Sequence, residues 1–232
     1  MTGIVFDIDD TLYVRQDMIV KAAEDILGVK VSDWREFIRI YYEKSDINMD
    51  GLESGKISTR DINGWRYIET FRVLGLPYGP DDGVKSADRY LELQSHMSLR
   101  EDMTDLLDRL SSSKDIRLAI LTAGESGHQR NKVRMLGLNR WFSDSDIVVT
   151  GETPYTKPDI ELYRIMEDKT GLCPSDIWMV GDSYKHDIEG AIDAGWHTVW
   201  IDRRKIPEPR KAPDIKVSSD EDLISAISLK FL

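Results

Sequence analysis

Residues 3–11 of the sequence read GIVFDIDDT, a short apolar segment that runs directly into three aspartates. The apolar part contains β-branched residues and predicts a buried strand at residues 3–8. Asp7, Asp9 and Asp10 repel one another where this strand ends, so their crowding requires a positively charged partner. The stretch therefore indicates a strand that carries a charged site, and other parts of the chain must supply the partners.

Four further segments have the same apolar, β-branched composition. Runs of this length that are bounded by Gly, Asp or Thr are typical of strands covered on both faces. Amphipathic helical patterns separate them, as in PDIELYRIMEDKTG at residues 158–171. Strands that alternate with helices predict an α/β fold with a doubly wound parallel sheet. The predicted strands lie at residues 116–122, 146–150, 176–182 and 197–202, with a final edge strand at 214–218.

The segment between the first two predicted strands contains only helical patterns. Ser58 and Asp61 have the spacing of a helix N-terminal capping box. We predict that residues 15–95 form an all-α domain, inserted into an α/β core made of residues 1–14 and 96–232. The apolar residues at helical spacing are Ile19, Ala22, Ala23 and Ile26, then Trp34, Phe37, Ile38 and Tyr41, then Ile62, Trp65 and Ile68.

Composition and charge exclude several classes of protein. The 232 residues are 41% hydrophobic, which is ordinary for a globular chain, and the formal net charge is −11. This negative charge argues against binding to nucleic acid or to an anionic membrane surface, because both require a basic surface. Cys173 is the single cysteine, so no internal disulfide can form. We expect a soluble, cytoplasmic protein without a membrane span, either a monomer or a small homo-oligomer.

Chemically distinctive residues follow the predicted strands. Asp7, Thr122 and Asp182 come where three of the strands end, and Lys157 follows another strand after a short loop. Ligands of open parallel sheets bind beyond the carboxyl ends of the strands. The sequence therefore predicts a site at which acidic groups, a hydroxyl and a lysine meet.

Four motifs in this order resemble those of the haloacid dehalogenase superfamily. DIDDT at residues 7–11 is similar to its first motif, D-x-D-x-T, and LTAG at 121–124 is similar to its second. TKPD at 156–159 and GDSYKHD at 181–187 resemble the third and fourth. The inserted helical domain is similar to the cap that this family carries between its first and second motifs. The resemblance covers the whole chain and implies a Rossmann-like core with a helical cap.

The resemblance also implies a reaction. It points to a Mg²⁺-dependent phosphatase that hydrolyses a small phosphorylated metabolite through an aspartyl-phosphate intermediate. Asp7 would be the nucleophile and Asp9 the general acid and base, two roles that neighbouring carboxyl groups with different pKa values can divide. The groups that bind the phosphoryl oxygens would be Thr122, the backbone amides near Ala123 and Gly124, and Lys157.

Magnesium prefers oxygen ligands, typically one or two carboxylates together with water and substrate phosphate. By resemblance, the metal site would contain Asp7, Asp9 through its backbone carbonyl, Asp182 and Asp187, the last of which would hold a metal-bound water or Lys157. Dehalogenase members of the superfamily lack an acid at the position of Asp9, so its presence favours phosphate chemistry. Ala123 departs from the asparagine that many relatives carry.

Three alternative functions remain compatible with the motifs. A phosphomutase and a phosphonate hydrolase belong to the same superfamily, and the latter requires a cap lysine that forms a Schiff base. A signalling receiver domain also combines Thr, Lys-Pro and an acidic pair around magnesium, but it is about half as long and lacks an inserted domain. The candidate lysines for the Schiff base are Lys21, Lys30, Lys44 and Lys56.

The basic stretch RRKIPEPRK at residues 203–211 is predicted to have no role in the site. Its two prolines and its charges are typical of a stiff, solvated loop.

Overall fold

The protein divides into two compact units. The computed structural model describes residues 1–45, 57–205 and 210–232. One unit, the sheet unit, comprises Met1–Tyr13 and Ser98–Leu232. The other, the helical unit, comprises Val14–Met97 and is inserted into the first along the sequence. That the helical unit acts as a cap stays a prediction.

The described part of the helical unit contains four helices. The predicted capping of the third helix is confirmed, because the Ser58 hydroxyl accepts a hydrogen bond of 3.1 Å from the Asp61 amide. The Tyr67 hydroxyl donates to the Ile19 carbonyl at 3.0 Å and ties the third helix to the first. The helices are α1 (Gln16–Leu27), α2 (Trp34–Ser45), α3 (Thr59–Leu74) and α4 (Asp82–Gln94).

The core of the helical unit differs in part from the predicted apolar faces. Trp34 belongs to one of these apolar faces but is 40% exposed, and the Arg35 guanidinium lies 4.5 Å from the centre of its ring. Trp34 is the first residue of α2, where its side chain lies outside the packed part of the helix. In α3, Trp65 is half-buried while Tyr67 and Phe71 are fully buried. Because α3 packs against both α2 and α4, its buried face is wider than a single apolar stripe.

The sheet unit is built on six parallel strands in the order β3-β2-β1-β4-β5-β6. All six predicted strands are present, and the predicted doubly wound α/β fold is confirmed. The third strand is shorter than predicted because the chain turns into a 3₁₀ helix at Thr150–Glu152. The strands are β1 (Thr2–Phe6), β2 (Ile116–Thr122), β3 (Ile147–Val149), β4 (Ile177–Gly181), β5 (His197–Ile201) and β6 (Ile215–Val217).

Strand β1 lies inside the sheet, with a parallel neighbour on each side. Val5 is aligned with Ala119 of β2 on one side and with Met179 of β4 on the other. From β1 the chain builds β2 and β3 on one side, then crosses to β4, β5 and β6 on the other. The strand order thus changes direction beside β1, which is where ligands bind in sheets of this type.

Helices cover the sheet and complete its core. The Asp159 side chain caps one of them by accepting a hydrogen bond from the Glu161 amide at 3.0 Å, and Gly171 follows the last residue of that helix as its C-cap. No helix in residues 1–45, 57–205 and 210–232 combines the length and apolar character needed to cross a membrane. The helices of the sheet unit are α5 (Glu101–Ser111), α6 (Ser126–Met135), α7 (Ile160–Thr170), α8 (Gly190–Asp193) and α9 (Asp220–Phe231).

Candidate active site

The predicted site residues all belong to the sheet unit and lie where its strands end. Asp7 directly follows β1, Thr122 is the last residue of β2, and Asp182 directly follows β4. The Asp7 amide continues the sheet by donating to the Val180 carbonyl at 2.9 Å. Lys157 lies in the loop between β3 and α7.

Three aspartates and one lysine form a buried charge cluster. Carboxylate oxygens of Asp7, Asp182 and Asp187 all lie within 4.8 Å of one another. The Lys157 ammonium lies 2.9 Å from Asp7 Oδ1 and 2.6 Å from Asp187 Oδ1. The structure therefore brings together side chains from the first, third and fourth motifs, which we refer to as the acidic cluster.

Glycine makes room for one member of this cluster. A Cβ atom on Gly181 would lie 2.4 Å from Asp187 Oδ2, so only glycine at the end of β4 lets this carboxylate approach the sheet. Asp187 is buried, and its Oδ2 accepts a hydrogen bond of 3.0 Å from the Ser183 amide. With its Oδ1 bound to Lys157, the carboxylate has a partner on each oxygen. This geometry favours Asp187 as the group that orients Lys157.

Burial changes the ionisation of the acidic cluster. Desolvation raises the pKa of Asp7 to about 7, despite the opposing effect of the Lys157 ammonium. Desolvation also raises the pKa of Asp182 well above its ordinary value. The Arg204 guanidinium, 3.8 Å away, opposes this effect and offsets it only in part. Burial disfavours the charge of Lys157, but the carboxylates of Asp187 and Asp7 outweigh it and raise the lysine pKa. Lys157 alone therefore cannot balance all three carboxylates of the cluster.

A divalent cation would balance the remaining negative charge of the cluster. Three buried carboxylates with oxygens this close repel one another strongly in a region that water reaches poorly. Hard oxygen donors of this kind suit Mg²⁺. The donor set that the structure offers is Asp7, Asp182 and Asp187, and the resemblance implies that Asp9 would add its backbone carbonyl.

The Asp9 carboxylate has its own set of hydrogen-bond partners. The Lys132 ammonium contacts both of its oxygens, at 2.7 Å from Oδ1 and 2.5 Å from Oδ2. The Tyr13 hydroxyl donates to Oδ1 at 2.5 Å, and Gln129 Nε2 donates to Oδ2 at 3.2 Å. Asp7 and Asp9 therefore have separate cationic partners, Lys157 and Lys132.

The second motif forms a tight turn near the Asp9 carboxylate. Gly124 has φ of +138°, which glycine adopts readily, and a Cβ atom there would lie 2.8 Å from Gln129 Nε2. The Gly124 amide donates to Thr150 Oγ1 at 3.0 Å, so this bond must open before the amide can bind a phosphate. Gln129 Nε2 also donates to the Ala123 carbonyl at 2.8 Å. The roles of Thr122, Ala123 and Gly124 in binding remain predictions.

Several residues of the site escaped the sequence-based prediction. Lys132 and Gln129 are both buried on α6, where polar residues one turn apart on the packed face were the available signal. The prediction that residues 203–211 form a solvated loop outside the site is wrong for the first two of these residues. Arg203 Nε donates to the Asp10 carbonyl at 2.6 Å, and Arg204 lies near Asp182. Residues 206–209 of that stretch lie outside the described part of the chain.

We expect the substitution Asp182→Asn to stabilise the metal-free protein and to abolish its response to magnesium. Asparagine has nearly the same shape but removes a buried charge that Arg204 balances only partly. A gain of about 1 kcal/mol would raise Tm by about 2–4 °C in a chain of this size. Thermal unfolding with a chelator and then with excess Mg²⁺ measures both effects.

The exposed Asp176 provides the matched control for this experiment. Asp176→Asn should leave Tm and its magnesium response unchanged. A lower Tm for metal-free Asp182→Asn, or an undiminished rise on adding Mg²⁺, would contradict the prediction that Asp182 is a buried metal ligand.

Comparison with known proteins agrees with this geometry. Residues 1–195, which contain all four motifs, match the model of the haloacid dehalogenase-like hydrolase family. A phosphoserine phosphatase of Thermus thermophilus is 36% identical over 117 residues, which are 50% of this chain and 46% of that enzyme. An N-acylneuraminate-9-phosphatase of Rattus norvegicus is 38% identical over 47% of this chain and 42% of that enzyme. The alignments thus span less than half the length of these two relatives.

Other similarities extend over nearly the whole chain. The pyrimidine 5'-nucleotidase PynA of Streptococcus pneumoniae is 26% identical over 99% of this chain and 96% of its own. Among solved structures, the magnesium-bound HAD-hydrolase YfnB of Bacillus subtilis aligns with a TM-score of 0.70 at 22% identity, covering 97% of this chain and 98% of its own. At this level of identity the structural match supports the fold alone.

The family match, the full-length structural similarity and the position of the motifs where the strands end all lead to one conclusion. The resemblance inferred from the four motifs is confirmed, and the chain belongs to the haloacid dehalogenase-like hydrolase family.

Proposed function

We propose that the protein is a magnesium-dependent phosphatase that hydrolyses a small phosphorylated metabolite through a phosphoryl group carried on Asp7. The observation that supports this most directly is the position of the Asp7 carboxylate. It lies at the carboxyl end of the central strand β1, with the Lys157 ammonium at 2.9 Å and two further buried carboxylates within 4.8 Å. A carboxylate so surrounded is suited to attack an anion only when cations balance its charge.

In the first step, an oxygen of ionised Asp7 attacks the phosphorus atom, and the bond between phosphorus and the ester oxygen breaks. Dividing hydrolysis into two displacements in this way lowers each barrier. Lys157 favours the charged form of Asp7 and would neutralise charge on the phosphoryl oxygens. Asp7, Asp182 and the Asp9 carbonyl would hold Mg²⁺, with Asp187 orienting Lys157, and the ion would supply further positive charge to the phosphoryl group.

Asp9 would move the protons in both steps. It gives a proton to the leaving alkoxide oxygen in the first step, and it takes a proton from the water that attacks the aspartyl-phosphate in the second. Hydrolysis then returns Asp7 as a free carboxylate and releases inorganic phosphate. Asp9 lies two residues beyond Asp7, and each carboxylate has its own cationic partner, Lys132 for Asp9 and Lys157 for Asp7, which suits groups with separate roles on one substrate.

Binding of the phosphoryl oxygens would fall to groups at the ends of β2 and β3. The predicted donors are the Thr122 hydroxyl, the backbone amides near Ala123 and Gly124, and the Lys157 ammonium. The helical unit, by resemblance a cap, would determine which ester is accepted. The relatives named above are phosphatases of phosphoserine, of an N-acylneuraminate 9-phosphate and of pyrimidine 5'-nucleotides, all of which are small phosphate esters.

Two of the alternative functions receive less support. Of the candidate Schiff-base lysines for a phosphonate hydrolase, Lys21 and Lys30 are exposed and pair with Asp25 and Glu24. Lys56 lies outside the described residues. The match of residues 1–195 to a hydrolase family argues against a receiver domain.

A panel of phosphate esters tests the proposal. We expect hydrolysis of at least one compact ester with Mg²⁺, loss of that activity with a chelator, and recovery on adding Mg²⁺ again. The panel should include phosphoserine, pyrimidine 5'-nucleotides, N-acylneuraminate 9-phosphate, glyceraldehyde 3-phosphate and p-nitrophenyl phosphate, with release of inorganic phosphate as the measurement.

Folded phosphoproteins serve as the comparison class, and we expect little or no activity on them. Failure to hydrolyse any small ester in Mg²⁺, or hydrolysis that the chelator does not affect, would overturn the proposal.

A further inference from the structure

We propose that Lys132, with Gln129 beside it, is a positioning residue that holds the Asp9 carboxylate in place for proton transfer. This inference rests on the proposed phosphatase function and adds a residue that none of the four motifs contains. Lys132 acts through Asp9 and is not proposed to touch the substrate.

The contact between Lys132 and Asp9 is close and sheltered. The ammonium is 2.7 Å from one oxygen of the carboxylate and 2.5 Å from the other. The exposed fraction is 3% for the Lys132 side chain and 15% for that of Asp9. A charged hydrogen bond of this length in a sheltered place is much stronger than one on the surface. The carboxylate is therefore held at both oxygens.

Helix α6 carries both side chains that make these contacts with Asp9. Gln129 and Lys132 are three residues apart, so they lie on the same face of the helix. Gln129 Nε2 donates to Asp9 Oδ2 at 3.2 Å and to the Ala123 carbonyl at 2.8 Å. The helix that follows the second motif thus links the turn of that motif to the acid of the first motif.

Stability alone does not account for a buried lysine at this position. Removing a cation from water is costly, and a buried ion pair contributes little net stability compared with apolar residues of similar size. The pair instead fixes geometry, because the Asp9 side chain has two rotatable bonds and Lys132 restrains both oxygens at once. Misplacement of a catalytic group by about 1 Å can lower a rate by about 100-fold.

The leaving group determines whether the first chemical step needs Asp9, whereas the second step needs Asp9 with every substrate. An alkoxide needs a proton to leave, whereas p-nitrophenolate leaves as a stable anion. With p-nitrophenyl phosphate, the first step does not need Asp9, but hydrolysis of the aspartyl-phosphate still does. A residue that only positions Asp9 must therefore affect the second step and spare the first.

The test compares Lys132→Met with wild type on p-nitrophenyl phosphate in Mg²⁺. We expect the first-turnover release of p-nitrophenolate to stay within about threefold of wild type, while steady-state kcat falls by about 100-fold. KM should not increase, because Lys132 does not bind the substrate. Lys132→Arg, which keeps the charge and two donors, should recover kcat to within about tenfold of wild type.

Two further variants complete the design. Arg134→Met removes an exposed basic residue of the same helix and should behave as wild type. Lys132→Gln keeps an N–H donor without the charge, and it replaces Lys132→Met if circular dichroism shows that the latter is not folded. Lys132→Gln should show the same loss of steady-state kcat with the first turnover preserved.

The outcomes separate this inference from the function on which it rests. If the wild type releases no p-nitrophenolate in Mg²⁺, the phosphatase proposal fails. If the wild type is active and Lys132→Met matches Arg134→Met, Lys132 does not position Asp9. Equal losses in the first turnover and in the steady state would also overturn the inference, because they indicate a general structural role.

Discussion

Asp7→Asn is expected to lower kcat by at least about 10⁴-fold and to leave the fold intact. Substitution of a covalent nucleophile removes the whole two-step path, and losses of this size are typical for such residues. Asparagine fills the same space, and its amide oxygen can still accept a hydrogen bond from Lys157, which keeps Asp187 as its charged partner. The variant should therefore unfold at the temperature of the wild type or above it.

Phosphate release and intact-protein mass together measure this prediction. Wild type quenched during turnover should carry one phosphoryl group, which peptide mapping should locate at Asp7, and Asp7→Asn should carry none. Asp168→Asn, an exposed residue of α7, is the matched control and should behave as wild type. Near wild-type turnover by Asp7→Asn, or a phosphoryl group on another residue, would exclude Asp7 as the nucleophile.

The sequence predicts where the strands end because local composition determines it. Asp7, Thr122 and Asp182 each follow a short β-branched run, and the alternation with helices makes the runs parallel. Parallel strands bring their carboxyl ends to one edge of the sheet, so residues far apart in sequence can be expected to meet. The order of the strands adds that β1 is central, which the sequence alone does not reveal.

Other features depend on the directions in which long side chains point, and the sequence alone does not specify these directions. Lys132 and Arg203 read as solvated basic residues, yet each reaches the segment around Asp9 and Asp10. Their placement follows from the packing of α6 and of the chain after β5 against that segment. The exposed Trp34 shows the converse, since an apolar residue at helical spacing stays outside the core when it is the first residue of its helix.

Lys157→Met should have the second large effect, on stability as well as on activity. In the metal-free protein, Lys157 is the cation closest to both Asp7 and Asp187 among the contacts described above. Removing one member of a buried ion pair leaves charges that water cannot reach and typically lowers the free energy of unfolding by about 3–5 kcal/mol. We also expect kcat to fall by at least about 10³-fold, because the phosphoryl oxygens lose a fixed positive charge.

Chemical denaturation at several pH values, with a chelator present, measures the loss of stability. Lys157→Met/Asp187→Asn should recover part of the lost stability and none of the activity. Lys114→Met, at an exposed position, is the control and should match wild type. A Lys157→Met protein as stable as wild type at pH 8 would contradict the central role of this lysine in the acidic cluster.

The pH dependence of this loss has a definite sign. Lys157 lowers the pKa of Asp7, which burial nevertheless raises to about 7, so removing the lysine must raise that pKa further. A folded-state carboxyl pKa above its unfolded value means that the folded protein binds more protons, and stability then falls as pH rises between the two values. The deficit of Lys157→Met should therefore be small near pH 4, where Asp7 is protonated and needs no counterion. It should grow through pH 7 and beyond, and a deficit that shrinks as pH rises would show that lost packing, rather than lost charge, is responsible.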